Sequence, residues 1–311
     1  MVSWVRPPAP SSVPSYPLLA VVILVKRTGQ LGNRLFLFAH FLANAAEYGY
    51  ELANPSFGGY APFFEATATG NFGGLPVRLH AFRQSGLDRL LNLVQHPRAF
   101  GLLQSASRLL PRRAALLTDQ AGQDYDLNQP AYLAAARSGL VLAHGWQFRD
   151  KRNFARHGAL LRQLFAPIET HRLAVAALLS ALRQTADVVV GVHIRRGDYA
   201  TYNNGAYYYD NATYARAMRA VQEQLPASRR VVFLLCSNEE LNFADFAGLR
   251  VHAATGHFVE DLYALAGCDY VVGPPSSYSM WASFYGQVPL LHLEQPNQDL
   301  RLQDFAVFLD Q

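Results

Sequence analysis

The sequence has few cysteines and no apolar run long enough to cross a membrane. Its two cysteines, Cys236 and Cys268, each lie inside a short apolar stretch, so we expect free buried thiols in a reducing compartment and no metal site built from them. The apolar run over residues 17–25 is too short to span a bilayer and lacks a cleavage site of small residues. We therefore expect a cytoplasmic protein.

Lysine is almost absent, so nearly all of the positive charge is arginine. Only Lys26 and Lys151 are lysines among 311 residues, and 27 basic against 23 acidic residues give a formal net charge of +4. That charge is too small to indicate nucleic acid as a partner. Arginine suits anionic ligands because its planar guanidinium binds phosphate through two parallel hydrogen bonds. A GC-rich genome would produce the same bias without any functional cause.

Short apolar runs alternate with stretches of helical periodicity, and there is no internal repeat. The predicted strands cover residues 18–25, 77–80, 140–145, 187–194, 231–235, 270–273 and 289–293. The predicted helical stretches cover residues 31–45, 78–117, 159–182, 214–224, 259–268 and 278–285. This alternation is typical of parallel sheets covered by helices. Two such α/β halves leave a crevice at the carboxyl ends of their strands, where nucleotides bind.

Two arginines and a carboxylate follow the most apolar predicted strand, 187–194. They are Arg195, Arg196 and Asp198, with Gly197 between them. A guanidinium matches phosphate oxygens, and a glycine lets the backbone approach a ligand closely. The alternative is a structural salt bridge between one arginine and Asp198. We expect both a ligand contact and a salt bridge, in which one arginine binds the ligand and the other pairs with Asp198.

Three further predicted turns carry polar residues. Asn238 and Glu239 follow strand 231–235, where they would accept the paired N–H donors of a guanine or cap a helix. Ser276 and Ser277 open a helix, whose exposed amides suit a pyrophosphate. The turn at 29–33 likewise opens a helix in the first half of the chain and would suit a pyrophosphate. Its Asn33 would face the second half across the crevice.

Together these motifs resemble the bacterial α-1,2-fucosyltransferases of glycosyltransferase family 11, relatives of the protein O-fucosyltransferases and the core α-1,6-fucosyltransferases. The matching segments are residues 29–36, 145–148 with Phe154, 193–199 and 276–281. The resemblance implies a GT-B fold, in which two Rossmann-like domains face each other across a donor-binding crevice. It also implies inversion at the anomeric carbon of the sugar and no metal or other cofactor.

The resemblance also assigns roles to individual residues. Arg195 resembles the arginine that grips the donor β-phosphate and His193 a ribose or guanine contact, with Arg196 and Asp198 as supports. We expect catalysis to depend on Arg195, Asp198 and Asn33. The other donor contacts implied by the resemblance are Gly32 and Asn33 from the first domain, Asn238 and Glu239 at the guanine, and Ser276, Ser277 and Tyr278 at the phosphates.

The function implied is transfer of fucose from GDP-fucose to a glycan hydroxyl, in an α-1,2 linkage to galactose of a bacterial surface polysaccharide. We expect a tail at 1–16, an acceptor-side domain at 17–183 and a GDP-fucose-binding domain at 184–311. Two alternatives stay open. The same fold would serve another acceptor, such as a peptide or a different sugar, and an inactive chain would bind nucleotide or glycan without transfer.

The sequence leaves open which residue acts as the general base and whether the protein contacts a membrane. Asp198, Asp210 and Glu260 are candidate bases for the acceptor hydroxyl, with no clear winner. Asp124-Tyr125-Asp126 is an acidic motif that holds metal ions in other transferases, but we expect a solvated loop here. The basic stretch from Arg78 to Arg113 would dock on the inner face of an anionic membrane, where a lipid-linked oligosaccharide acceptor would lie. Helices that cover a sheet explain this stretch almost equally well.

Overall fold

The computed structural model describes residues 20–26, 29–80, 96–105, 114–119 and 122–309. Two parallel five-stranded sheets with helices packed on them dominate this part of the chain, which confirms the expected α/β class. The expected tail at 1–16 lies outside the described residues. In the described part, no helix combines the length and apolarity that a membrane crossing requires.

The strands, in chain order, are β1 Val21–Leu24, β2 Glu51–Ala53, β3 Val77–Arg78, β4 Ala114–Thr118, β5 Tyr125–Asp126, β6 Leu140–His144, β7 Phe148–Arg149, β8 Val188–Ile194, β9 Val231–Ser237, β10 Val251–Ala253, β11 Tyr270–Gly273 and β12 Leu290–His292. The α-helices of the described chain are α1 Leu31–Tyr48, α2 Glu65–Thr69, α3 Pro97–Ser105, α4 Pro130–Ser138, α5 Lys151–Arg156, α6 Gly158–Leu164, α7 Glu169–Thr185, α8 Asn211–Gln224, α9 Phe258–Ala266 and α10 Ser277–Gly286.

The first sheet has the order β3-β2-β1-β6-β4, with β1 at its centre. β1 pairs with β2 on one side and with β6 on the other, and its alternating side chains belong to two separate apolar clusters, so both faces of the sheet are covered there. α1 begins just beyond the carboxyl end of β1. Gly29 makes the turn into this helix with a φ of +66°, a conformation that favours glycine.

The second sheet has the order β10-β9-β8-β11-β12, with β8 at its centre. This is the strand predicted from the apolar run at 187–194, and its last six residues are buried. The neighbours β9 and β11 lie on opposite sides of β8, so the chain order reverses there and a crevice opens at its carboxyl end. Residues that follow β8, β9 and β11 therefore meet at one edge of the sheet.

The two halves share one apolar core. α7 carries the chain from the first half to the second, and the predicted boundary at residues 183 and 184 falls in its last turn. The ring of Phe36 on α1 lies 5.3 Å from Trp281 on α10, and both belong to a single buried cluster that includes residues of both halves. A Cβ added to Gly32 would lie 2.7 Å from Ser277 Oγ, so the two helices touch where they begin.

Three expectations about local structure are wrong. The predicted helical stretch 78–117 ends in strand β4, because pairing with β6 outweighs the helix propensity of its alanine and leucine residues. The predicted helix at 159–182 is divided into α6 and α7, with Pro167 in the break, where its ring disfavours helix at the residue before it. The acidic motif at 124–126, predicted as a loop, contains β5, which pairs with β7.

Candidate functional site

The carboxyl ends of the two sheets face each other and enclose a cavity of about 840 Å³. Nine of the predicted site residues line it: Gly32, Asn33, His193, Arg195, Asp198, Asn238, Ser276, Ser277 and Tyr278. Arg196 and Glu239 do not line it. Residues separated by more than 200 positions in the sequence thus share one crevice, at the place where such folds bind nucleotides.

Arg195 enters the cavity from the end of β8. Its guanidinium lies 2.7 Å from an Asp198 carboxylate oxygen and 5.5 Å from the centre of the Tyr199 ring, and its side chain is only 16% exposed. A guanidinium has five N–H donors, more than one carboxylate can take, so Arg195 has donors for an anionic ligand as well. Asp198 also accepts a hydrogen bond from Gln30 at 3.3 Å, which links this arginine to the first half of the chain.

Arg196 points away from the cavity. Its guanidinium donates to the side-chain oxygen of Asn211, at the start of α8. The expectation that Asp198 would hold the arginine that does not bind the ligand is therefore wrong, because Asp198 pairs with Arg195 itself. The short 3₁₀ turn Gly197–Ala200 brings the Asp198 carboxylate back towards Arg195.

Asn238 and Glu239 hold the loop that carries the arginines. Asn238 Oδ1 accepts from the backbone N–H of Arg196 at 2.9 Å, and Glu239 Oε1 accepts from that of Gly197 at 3.0 Å. These contacts follow from topology, since β8 and β9 are neighbours and their ends lie side by side. In this geometry both side chains bind the backbone of the loop, although a guanine contact was expected.

Asp261 is a cavity residue that the sequence reasoning missed. It lies in the first turn of α9, is only 5% exposed, and accepts hydrogen bonds from Thr255 Oγ1 and the Gly256 N–H, both at 3.1 Å. Burial raises the pKa of this carboxyl to about 6. Both bonds reach the same oxygen, Oδ1, so the group has acceptor positions left for a ligand.

His193 also lines the cavity, and its imidazole is buried and uncharged. Burial lowers its pKa to about 3, with further lowering by the positive charge of Arg195. Its ring lies 5.0 Å from the ring of Tyr278. An uncharged imidazole beside an aromatic ring suits contact with a nucleoside better than charge compensation of a phosphate.

Two helices begin at the cavity, α1 and α10. Ser276 caps α10, because its hydroxyl accepts from the Tyr278 N–H at 3.2 Å. Asn33 stands in the first turn of α1, and both helix starts line the cavity. Helix N-termini present unpaired N–H groups and a partial positive charge, so these two form a cradle for an anion next to Arg195.

The candidate bases are separated by the fold. Asp198 lines the cavity and its side chain is 52% exposed, whereas Asp210 accepts from the Thr213 N–H at 2.8 Å as the cap of α8. Glu260 lies outside the cavity lining, with its carboxylate 2.9 Å from His171 Nδ1. The acidic motif at 124–126 does not line the cavity, although Asp124 lies 3.9 Å from Arg149, which does, and 3.6 Å from Lys151 Nζ.

The first half of the chain also supplies aromatic side chains to the cavity lining. Tyr60 and Trp146 line the cavity from the first half, and Phe308, near the end of the second half, packs against Phe36 of α1 with the ring centroids 5.5 Å apart. The backbone N–H of Trp146 donates to Asp119 at 2.7 Å, and the Arg149 guanidinium lies 5.3 Å from the Trp146 ring. Flat aromatic faces of this kind can pack against the apolar face of a sugar.

Comparisons with known proteins agree with this architecture. No curated protein matches the sequence. A solved structure of an Arabidopsis thaliana FUT1 variant in complex with GDP is 14% identical, has a TM-score of 0.60, and covers 94% of this chain and 75% of its own. Fucosyltransferase NodZ from Bradyrhizobium is 17% identical, has a TM-score of 0.57, and covers 91% of this chain and 98% of its own.

POFUT1 in complex with GDP-fucose is more distant, with 12% identity, a TM-score of 0.51, and coverage of 89% of this chain and 98% of its own. At such identities these likenesses show the fold, and they confirm the expected GT-B arrangement. The family model for Glycosyl transferase family 11 matches residues 142–303, just over half of the chain. The chain therefore belongs to glycosyl transferase family 11.

Proposed function

We propose that the protein transfers fucose from GDP-fucose to a glycan hydroxyl, with inversion at the anomeric carbon and without a metal ion. One observation carries the proposal. Arg195, held by Asp198, lies in the same cavity as the N-termini of α1 and α10. When the bond between fucose and the diphosphate breaks, negative charge grows on the β-phosphate, and a fixed guanidinium beside two helix starts stabilises that charge.

The guanine would lie at the other end of the cavity, against α9. A guanine presents two adjacent N–H donors, and the buried Asp261 carboxylate has the acceptor positions to receive them. We assign guanine recognition to Asp261 in place of Asn238 and Glu239, whose side-chain oxygens bind the arginine loop. His193 and Tyr278 would then flank the nucleoside.

Asp198 is the base candidate that lines the cavity, but its two oxygens are engaged by Arg195 and Gln30. We propose that its main role is to position Arg195 and to link the two halves around the donor. Asn33, in the first turn of α1, would contact the diphosphate from the opposite side. The acceptor oxygen would then bond to the anomeric carbon and pass its proton to water late in the reaction, after the bond from that carbon to the diphosphate has largely broken.

We further propose a β-galactoside of a surface polysaccharide as the acceptor and an α-1,2 linkage. This proposal rests on the resemblance of the motifs around Arg195 and Trp146 to those of α-1,2-fucosyltransferases. The solved NodZ is an α-1,6-fucosyltransferase, so the shared fold does not fix the linkage. Peripheral contact with the inner face of a membrane stays a prediction. Most of its basic stretch lies outside the described residues, and Arg78 pairs with Glu51.

Incubation of the protein with GDP-fucose, EDTA and a panel of β-galactosides should release GDP at the rate seen with Mg²⁺ or Mn²⁺. The reason is that Arg195 and the helix starts supply the charge that a metal would supply. A rate that is lost in EDTA, restored by Mn²⁺ and abolished by Asp124→Asn would contradict metal independence. GDP binding with no turnover of any acceptor would instead favour a nucleotide-binding module without catalysis.

Trp146→Ala should raise the acceptor KM by about 2- to 12-fold, since an aromatic contact of this kind contributes about 0.5–1.5 kcal/mol. The KM for GDP-fucose should change little, because Trp146 comes from the first half of the chain, whereas most residues proposed to bind the nucleotide come from the second half. Initial rates at varied acceptor and fixed donor measure the first effect, and the reverse titration measures the second. Trp146→Phe keeps a flat ring and should retain most of the affinity. An equal rise in both KM values would argue against an acceptor role.

A further inference from the structure

Three metal-ligand side chains meet where α7 packs against the start of α9. They are His171 on α7, His257 at the N-cap of α9 and Glu260 in its first turn. Their ligand atoms all lie within 4.8 Å of one another. None of the three lines the cavity described above. The cluster is therefore separate from the proposed donor and acceptor sites.

The three side chains are already held in place. His171 Nδ1 lies 2.9 Å from a Glu260 oxygen, and the rings of His171 and His257 stack with centroids 4.4 Å apart. The side chains of His171 and Glu260 are only 13% and 15% exposed. The ring of Phe63, from the first half of the chain, lies 5.7 Å from each imidazole and forms an apolar wall beside them.

A hydrogen bond between His171 and Glu260 alone does not account for the cluster. His257 also lies within 4.8 Å of both ligand atoms, so the cluster brings together two imidazoles and one carboxylate rather than a single pair.

Two imidazoles and one carboxylate are ligands that Zn²⁺ prefers, and three protein ligands leave a fourth tetrahedral position for water. One existing contact opposes the ion. His257 Nδ1 accepts from the Val259 N–H at 3.3 Å, and coordination through either ring nitrogen would give up this bond. A hydrogen bond of that length is weak, so its loss does not prevent coordination.

We propose that His171, His257 and Glu260 bind a divalent transition-metal ion, and Zn²⁺ matches these ligands best. The bound ion connects α7, the helix between the two halves, to the first turn of α9. The site is structural, because no part of it reaches the cavity. Its position gives it a consequence for the donor site. Asp261 follows Glu260 directly, so an ion bound here restrains the turn of helix that carries the proposed guanine contact.

The test is a calorimetric titration of ZnCl₂ into the full chain after removal of metals with EDTA and dialysis. Wild-type protein should bind one ion, and Zn²⁺ should raise its Tm. His257→Ala and Glu260→Gln should each weaken binding at least about 100-fold, as loss of one ligand removes a direct metal bond. His252→Ala is the matched control, because His252 is an exposed histidine of the same half, on β10.

Equal affinity for Zn²⁺ in His257→Ala and His252→Ala would overturn the proposal, as would a folded wild-type protein that binds no ion. Circular dichroism of each variant separates loss of binding from loss of fold. GDP release should stay within about twofold of its starting value in the metal-free protein. A Zn²⁺ site with these properties would stand even if the proposed fucose transfer failed, because the titration contains no sugar nucleotide.

Discussion

Arg195→Ala should lower kcat for fucose transfer by about 10²- to 10³-fold, the size of effect seen when one group that stabilises a charged transition state is removed. The loss should fall mainly on kcat, because the charge on the β-phosphate is greatest when the bond to fucose is breaking. Arg195→Lys should recover only part of the rate, since an ammonium group lacks the planar pair of donors that matches a phosphate. GDP release at saturating GDP-fucose measures the effect.

The neighbouring arginine supplies a matched control. Arg196→Ala removes the same charge one residue away, but this guanidinium contacts Asn211 outside the cavity, so its effect on kcat should be much smaller. Circular dichroism of both variants separates an effect on kcat from a loss of fold. This check is needed because the Arg195 side chain is only 16% exposed, although that of its partner Asp198 is 52% exposed. A kcat above a tenth of the wild-type value in Arg195→Ala would rule out the proposed role.

The features of the fold that the sequence predicts are those set by composition over short distances. The apolar run at 187–194 predicts β8 because a strand buried on both faces needs apolar side chains throughout. The serine turn before α10 predicts a capped helix start for the same local reason. The three-residue strands β2 and β10 are too short to give a periodic signal, and they form because β1 and β9 offer edges to pair with.

The arrangement of side chains within the site depends on contacts between residues that are far apart in the sequence. The sequence predicted these contacts less well than it predicted the strands and helices. Which arginine pairs with Asp198 depends on Gly197, whose φ of +60° redirects the chain after β8. Asn238 and Glu239 are drawn to that loop because β9 ends beside it. A local pattern of charged residues does not contain this information.

The contrast between Glu260 and Asp261 shows most clearly what the sequence alone does not predict about the site. The two acids are adjacent in the first turn of α9, so their side chains point about 100° apart around the helix axis. Packing of the helix against α7 and the second sheet decides which one reaches the cavity. The sequence analysis named Glu260 as a candidate base and did not consider Asp261, whereas the structure places Asp261 in the cavity.

Asp261→Asn should weaken binding of GDP-fucose by about 10- to 100-fold at pH 7.5, which is the contribution of hydrogen bonds to a charged group. It should also abolish discrimination between GDP and IDP, because IDP lacks the guanine amino group that the carboxylate would bind. Calorimetry with each nucleotide in EDTA measures both effects. Glu260→Gln, a change at the adjacent residue outside the cavity, should leave both nucleotide affinities unchanged in EDTA.

The pH dependence of binding provides a second measure of the same contact. Burial raises the pKa of Asp261 to about 6, above its ordinary value, so the empty site loses its carboxylate as the pH falls through 6. Only the ionised form accepts both guanine donors. The affinity of the wild-type protein for GDP-fucose should therefore fall by up to about tenfold per pH unit below pH 6.

GDP-fucose is the right ligand for this measurement, because its diphosphate has no ionisable group near pH 6, whereas GDP has one. Asp261→Asn has no group to titrate at this position, so its weaker affinity should be flat over the same range. If the variant shows the same pH profile as the wild-type protein, another group controls binding and Asp261 does not read the base. If the profile flattens but discrimination against IDP persists, the carboxylate contacts the nucleoside elsewhere than at the guanine amino group.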